Sequence, residues 1–120
     1  MDSKMDLKKI QSIIRNFRDE RDWKQFHSPK NMAISISLEA AELLEHFQWK
    51  TPDESVAHAQ SAKDEIALEM ADIAIYLIEM ADDIGIDLEG AILTKLELNR
   101  KKYPADKARG NAKKYTELDQ

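Results

Sequence analysis

Two apolar stretches with helical period are each interrupted by a pair of acidic residues. Glu39 and Glu42 lie within MAISISLEAAELL, and Glu69 and Asp72 lie within IALEMADIAIYLI. Each pair has the i, i+3 spacing that places two side chains on one helix face, about one turn apart. Apolar stretches of this length predict buried helices, whereas an isolated carboxylate is costly to remove from water. A fold for this chain must therefore bury two helices and still accommodate their acids.

A bound divalent cation would resolve this conflict. At an effective dielectric constant of about 20, two like charges about 5 Å apart repel each other by roughly 3 kcal/mol. A cation turns the repulsion into attraction, and carboxylate oxygens are the ligands that Mg²⁺ and Mn²⁺ prefer. A solvated surface stripe is the alternative for any single pair. Because two matched pairs occur in apolar surroundings, we predict a metal site between two helices, formed by Glu39, Glu42, Glu69 and Asp72.

A di-iron carboxylate site is the chemical alternative, since it also uses acids that project into a helical bundle. Such sites add a Glu-x-x-His motif. None of the three histidines in this chain has a glutamate three residues before it. The all-oxygen set therefore favours Mg²⁺, with Mn²⁺ as a further candidate, over redox iron.

Length and composition narrow the class of protein. The chain has 120 residues, and we expect a single domain over 1–120. Its formal net charge of -5 argues against binding a nucleic-acid polymer, which calls for a basic surface. Cysteine is absent, and the first residues lack the apolar run of a signal peptide, so we expect a cytoplasmic protein. The apolar stretches are too short and too acidic to predict a membrane span.

Local start and stop signals divide the chain into helices. Ser28 and Thr51 each precede a proline and can cap a helix, as can Asp87, while Gly85 can end one in the left-handed conformation. The segment after about residue 105 is expected to be a tail. The predicted helices run from about Met5 to Asp22, from Pro29 to about Trp49, briefly after Thr51, from a capping-box-like start at Ser61 to Ile84, and from Leu88 to about Tyr103.

These helices predict an all-α, four-helix bundle-like fold. The two central helices are apolar nearly all round, so they must be covered on more than one side. Four short helices can scarcely provide that cover within one chain. We therefore expect a homo-oligomer, either a dimer or a tetramer.

The acid pairs resemble the E-x-x-E and E-x-x-D signature of the all-α nucleoside triphosphate pyrophosphohydrolases, the MazG-like superfamily. Five further strings, in order, are similar to its dCTP pyrophosphatase branch: RDWKQFH, FQWK, DIAIYL, NRKKYP and KYTEL. The resemblance extends from about residue 14 to residue 118. It implies an all-α, Mg²⁺-dependent enzyme of nucleotide metabolism that splits a nucleoside triphosphate between the α- and β-phosphates, releasing the monophosphate and pyrophosphate.

The same resemblance assigns roles to individual residues. The four acids would hold metal for catalysis, and Glu65, one turn before Glu69, is either an extra ligand, a water-orienting base or a solvated acid. Aromatic rings can stack on a base, although core packing is an equal alternative for Phe26. The implied base-binding residues are Trp23, Gln25, Phe26, His27, Trp49 and Tyr76; the phosphate-binding residues are Lys95, Asn99 and Tyr103, with Arg109, Lys113 and Lys114 as further candidates.

The chain also departs from that branch in two places. Ile14 stands where a histidine is expected, and the segment 51–62 is shorter. These departures leave the metal chemistry intact and bear on the choice of base, for which we expect dCTP or a modified dCTP. The alternatives are a phosphoribosyl-ATP pyrophosphohydrolase, against which the aromatic loop argues, and a non-catalytic helical interaction module.

Overall fold

The computed structural model describes residues 5–118, and within that range every regular element is helical. This confirms the all-α prediction. The described residues contain no helix long and apolar enough to cross a membrane. The helices are α1 (Leu7–Glu20), α2 (Pro29–Glu45), α3 (Pro52–Ser61), α4 (Lys63–Ile84), α5 (Leu88–Lys102) and α6 (Ala105–Ala108), with short 3₁₀ turns at Lys24–Phe26 and Tyr115–Glu117.

Side-chain caps set most helix starts, as the sequence predicts. The Ser28 hydroxyl accepts the Asn31 N–H, and the Asp87 carboxylate accepts the Gly90 N–H. Thr51 forms a reciprocal capping box with Glu54. Each cap satisfies a backbone donor that the first turn of a helix leaves without a partner. At the end of α4, Gly85 takes a φ of 84°, a conformation that costs little without a Cβ atom.

Several boundaries differ from the prediction, and the first helix, expected from about Met5 to Asp22, extends from Leu7 to Glu20. The helix expected to reach Trp49 ends at Glu45, and turns follow it. The helix expected to begin at Ser61 begins at Lys63, because the Ser61 hydroxyl donates to the His58 carbonyl and Ser61 completes α3. Beyond residue 104, the predicted tail contains α6 and a 3₁₀ turn. These choices depend on turn geometry that the residue types alone do not specify.

The chain forms two compact units, one ending at Gly85 and the other beginning at Ile86. In the first unit α4 is the central helix, and α1, α2 and α3 each pack against it. The second unit contains α5 and α6, and the rings of Tyr103 and Tyr115 meet edge to face there. The predicted single domain remains a prediction. The buried apolar side chains found among the described residues are Ile14, Met32, Ile66 and Ala81, all in the first unit.

Candidate active site

The acidic faces of α2 and α4 meet where these two helices pack together. One carboxylate oxygen each from Glu39, Glu69 and Asp72 lies within 4.8 Å of the other two. Glu42 lies one turn after Glu39 on α2, and it raises the pKa of both Glu39 and Glu69. The structure therefore brings together three of the four acids that the sequence grouped, and the fourth, Glu42, affects two of them electrostatically.

The electrostatics of this group indicate charge that the protein itself does not balance. Burial raises the pKa of Glu39 to about 7, with further increases from Glu42, Asp72 and Glu69. Burial also raises the pKa of Glu69, followed by the effects of Glu42 and Asp72. None of the ion pairs found within residues 5–118 includes any of these four acids. Such a group disfavours its own ionisation until a cation is added.

Two carboxylate oxygens of this group are buried without a partner. Among the described residues, Oε2 of Glu39 and Oε2 of Glu69 are shielded from solvent and lack a hydrogen-bond partner. Buried polar atoms are nearly always partnered, so such orphan acceptors need an explanation. The atoms available as metal ligands are carboxylate oxygens alone, which suits a hard divalent cation. These residues could therefore hold a divalent metal.

A cavity of about 410 Å³ lies in the first unit, with Asp72 in its wall. Three of the predicted base-binding residues also line it: Trp23, His27 and Tyr76. Burial raises the pKa of Tyr76, followed by the charges of Glu39, Asp72 and Glu79, so its hydroxyl stays protonated near neutral pH. The remaining lining residues are Ile13, Ile14, Phe17, Arg18, Ile75 and Glu79.

Other predicted site residues lie away from this cavity lining. The Gln25 amide donates to the backbone and side chain of Asp22, within its own turn. Phe26 is 61% exposed and Trp49 is 88% exposed. Glu65 lies exposed in the first turn of α4. The structure assigns none of them a contact with the acids, and their roles remain predictions.

The predicted phosphate-binding residues belong to the second unit. Lys95 and Asn99 lie one turn apart on α5, and Tyr103 caps the end of that helix. Arg109, Lys113 and Lys114 are exposed in the segment that follows. Their roles also remain predictions.

Two buried polar residues of the cavity wall, Glu79 and Arg18, were not predicted from the sequence. His27 Nδ1 donates to Oε2 of Glu79, which is 5% exposed. The Arg18 guanidinium, 3% exposed, donates to Asp19 and Asp83. A signal for Glu79 was present, because it follows Asp72 by seven residues in the same apolar helix and so shares its face. Arg18 stands four residues after Ile14, which places it on the buried side of α1.

An all-helical fold with unpaired acids beside a cavity is the arrangement expected of a metal-dependent enzyme. Comparison with known proteins makes the class specific. The MazG-like family model matches residues 34–118. Human dCTP pyrophosphatase 1 is 42% identical over 114 residues, covering 93% of this chain and 67% of the human protein. The bovine dCTP pyrophosphatase 1 is also 42% identical, covering 93% of this chain and 68% of its own length.

A solved structure gives the same result. The crystal structure of a pyrophosphatase from Archaeoglobus fulgidus superposes with a TM-score of 0.80 at 41% identity, covering 87% of this chain and 97% of that one. The chain therefore belongs to the MazG-like family. It is a nucleoside triphosphate pyrophosphohydrolase, as the resemblance of its motifs predicted.

Proposed function

We propose that this protein hydrolyses dCTP, or a modified dCTP, to the monophosphate and pyrophosphate in the presence of Mg²⁺, and so removes unwanted nucleotides from the cellular pool. The observation that carries the proposal is the group of unpaired carboxylates, Glu39, Glu69 and Asp72, with Asp72 also in the wall of the cavity. The naming of the relatives as dCTP pyrophosphatases supports the choice of substrate.

Several residues of the first unit have a role in this proposal. Glu39, Glu42, Glu69 and Asp72 hold the divalent cation, with Mn²⁺ able to replace Mg²⁺. When bound, the cation neutralises phosphate charge, lowers the pKa of a water and stabilises the departing pyrophosphate. The ring of Trp23 provides an aromatic surface for the base, and the apolar cavity wall excludes water around it.

The remaining site residues are assigned from the sequence alone. Lys95, Asn99 and Tyr103 are proposed to bind phosphate through their donors. Gln25, Phe26 and Trp49 are proposed to contact the nucleotide when it is bound. For this group we expect Lys95→Ala to raise KM for dCTP, while the exposed Arg100→Ala on the same helix leaves KM unchanged. Equal effects of the two changes would remove the phosphate role of Lys95.

We further propose that the protein is a homo-oligomer. Leu38 on α2 is 61% exposed, and Leu68 and Met70 on α4 are 70% and 57% exposed. Large apolar side chains left exposed on central helices mark contact surfaces rather than ordinary solvent-facing positions. Light scattering at micromolar concentration is expected to give a dimer or a tetramer. A monomer under these conditions would overturn the proposal.

Pyrophosphate release tests the activity. Purified protein with Mg²⁺ is incubated with dCTP, 5-methyl-dCTP, the other canonical triphosphates and phosphoribosyl-ATP, and products are separated by ion-exchange chromatography. The proposal predicts dCMP and pyrophosphate, with dCTP or its modified form the preferred substrate. The variant Asp82→Asn should keep this activity, because Asp82 is an acid of α4 outside the metal group. Orthophosphate as the only inorganic product, turnover confined to phosphoribosyl-ATP, or no turnover would contradict the proposal.

A further inference from the structure

Glu79 is a buried carboxylate on the cavity wall that the proposed metal chemistry does not use. It is 5% exposed, and it lines the same cavity as Asp72. The two residues are seven positions apart on α4, which separates them by about 10 Å along the helix axis. This separation is comparable to the span of a nucleotide from its α-phosphate to the far edge of its base. A nucleotide whose phosphates lie at the acids would therefore bring its base towards Glu79.

The hydrogen bonds around Glu79 leave it able to accept from a ligand. His27 donates to Oε2, and an ionised carboxylate has about four acceptor positions on its two oxygens. The positively charged Arg18 side chain, which also lines the cavity, donates to Asp19 and Asp83 and not to Glu79. Glu79 therefore presents acceptor capacity in a cavity whose other walls are largely apolar or aromatic.

The pyrimidine bases differ in the chemistry that such a carboxylate detects. Cytosine carries an amino donor at C4, whereas uracil and thymine carry a carbonyl acceptor there. A carboxylate can accept from the amino group but repels the carbonyl oxygen. Ile14, in the same wall, offers no hydrogen bond to either. The polar residues of the cavity must therefore distinguish cytosine from uracil and thymine at C4.

We propose that Glu79 is the specificity-determining residue for the base, accepting a hydrogen bond from the exocyclic amino group of cytosine. The His27 imidazole is a positioning residue that holds the carboxylate in place. The inference rests on the proposed function where it concerns hydrolysis. The selection of the base by Glu79 is a property of binding. It can therefore be tested on nucleoside monophosphates without any hydrolysis.

Titration calorimetry with dCMP and dUMP tests the inference. We expect the unmodified protein to bind dCMP at least about tenfold more tightly than dUMP, as a hydrogen bond to a charged group implies. In Glu79→Gln the amide offers a donor as well as an acceptor, so it can pair with either base. The ratio should then fall to about threefold or less. Glu45→Gln, a change of an exposed acid on α2, is the matched control and should keep the original ratio.

A purely structural role for Glu79 would give a different result. Loss of packing would weaken dCMP and dUMP binding alike and leave their ratio unchanged, which overturns the inference. A ligand comparison covers the case in which Glu79→Gln does not fold. The monophosphate of 2-pyrimidinone deoxyriboside lacks the amino group, and we expect the unmodified protein to bind it at least about tenfold more weakly than dCMP. Equal affinity for these two ligands would also overturn the inference.

The kinetics separate this inference from the proposed function. If triphosphates are hydrolysed but the ratio of kcat/KM for dCTP and dUTP is the same in the unmodified protein and Glu79→Gln, the inference fails and the proposed function stands. If no triphosphate is hydrolysed but the dCMP preference is present and depends on Glu79, the proposed function fails and the base-reading role stands.

Discussion

Helix α4 carries acids in two different electrostatic environments. Near its C-terminal end, Asp82 and Asp83 are the paired acids: Arg15 donates to Asp82 through two hydrogen bonds of 2.8 Å, and Arg18 donates to Asp83. In its middle, Glu69 and Asp72 join Glu39 of α2 as the unpaired acids, which have no basic partner within the described residues. Identical functional groups thus occur on one helix with and without a compensating charge.

The pKa shifts show what the difference means. The hydrogen bond from Arg15 lowers the pKa of Asp82, whereas burial and the neighbouring acids raise the pKa of Glu39 to about 7. The paired acids stabilise the contact between α1 and α4 in the protein alone. The unpaired acids destabilise the contact between α2 and α4 until a cation is bound. Charge left unbalanced inside a small fold is therefore the better indicator of function.

The largest effect should come from removing one unpaired acid. In Glu69→Gln we expect pyrophosphate release from dCTP to fall by about a hundredfold or more, because a cation ligand is lost while side-chain size is kept. Its metal-free thermal midpoint should stay the same or rise, since an unbalanced charge has gone. Asp82→Asn should keep turnover within about threefold. Comparable losses of turnover in the two variants would remove the distinction between paired and unpaired acids.

The next effect concerns the stability provided by the paired acids. Arg18→Met leaves Asp83 without its cation, and removing one member of a buried pair costs about 3 kcal/mol. The free energy of unfolding, measured by urea titration monitored by circular dichroism, should fall by that amount. Arg18→Lys keeps the charge but loses the fork of donors, so its loss should be smaller. A loss below about 1 kcal/mol in Arg18→Met would show that the pair contributes little.

The pH dependence of the metal-free protein should show the effect of the unpaired acids. The pKa of Glu39 is about 7 in the folded state, against an ordinary 4.5. The folded state therefore keeps a proton that the unfolded state loses, and stability should fall as pH rises from about 4.5 to about 7. Thermal midpoints measured in EDTA from pH 5 to pH 8 check this, and Glu39→Gln should flatten the profile. A profile that is the same in the unmodified protein and Glu39→Gln would contradict the assignment.

Added Mg²⁺ should reverse that trend. Ligands must lose their protons to bind a metal, so Mg²⁺ should raise the thermal midpoint more at pH 8 than at pH 6. A ligand at about 100 times its Kd adds roughly 2.7 kcal/mol to the free energy of unfolding. Glu69→Gln should lose most of this stabilisation, while Asp82→Asn should keep it. Equal stabilisation of both variants by Mg²⁺ would show that the cation does not bind at Glu69.

The smallest effect should come from the more exposed of the two ion pairs, which joins Arg15 to Asp82. Arg15 is 44% exposed, so solvent screens its pair with Asp82, and Arg15→Ala should lower the free energy of unfolding near neutral pH far less than Arg18→Met does. The pKa of Asp82 is lowered in the folded state, so this contribution is present above its ordinary value of 3.8 and disappears as pH falls through the folded value. Urea titrations at pH 7 and pH 3 check both statements. A loss that is larger at pH 3 would have the wrong sign.

Local features of this chain could be predicted, and features that depend on tertiary packing could not. The caps at Ser28, Thr51 and Asp87 act within a few residues, so the sequence contains all the information needed. The two acid pairs could be grouped because their period places each on one helix face. Helical spacing places Glu79 and Arg18 on buried faces, but the residues that pair with them across the fold, His27 and Asp83, belong to other elements and could not be predicted.

The first unit has few fully buried side chains, and this should make the stability of the protein depend on its concentration. Met32 is 1% exposed and is the one large side chain that is fully enclosed among the described residues. A chain with so little interior gains much of its stability from contacts between copies, if the proposed assembly forms. Dilution would then act on this enzyme as heating does, and a cell could lower its activity simply by making less of it.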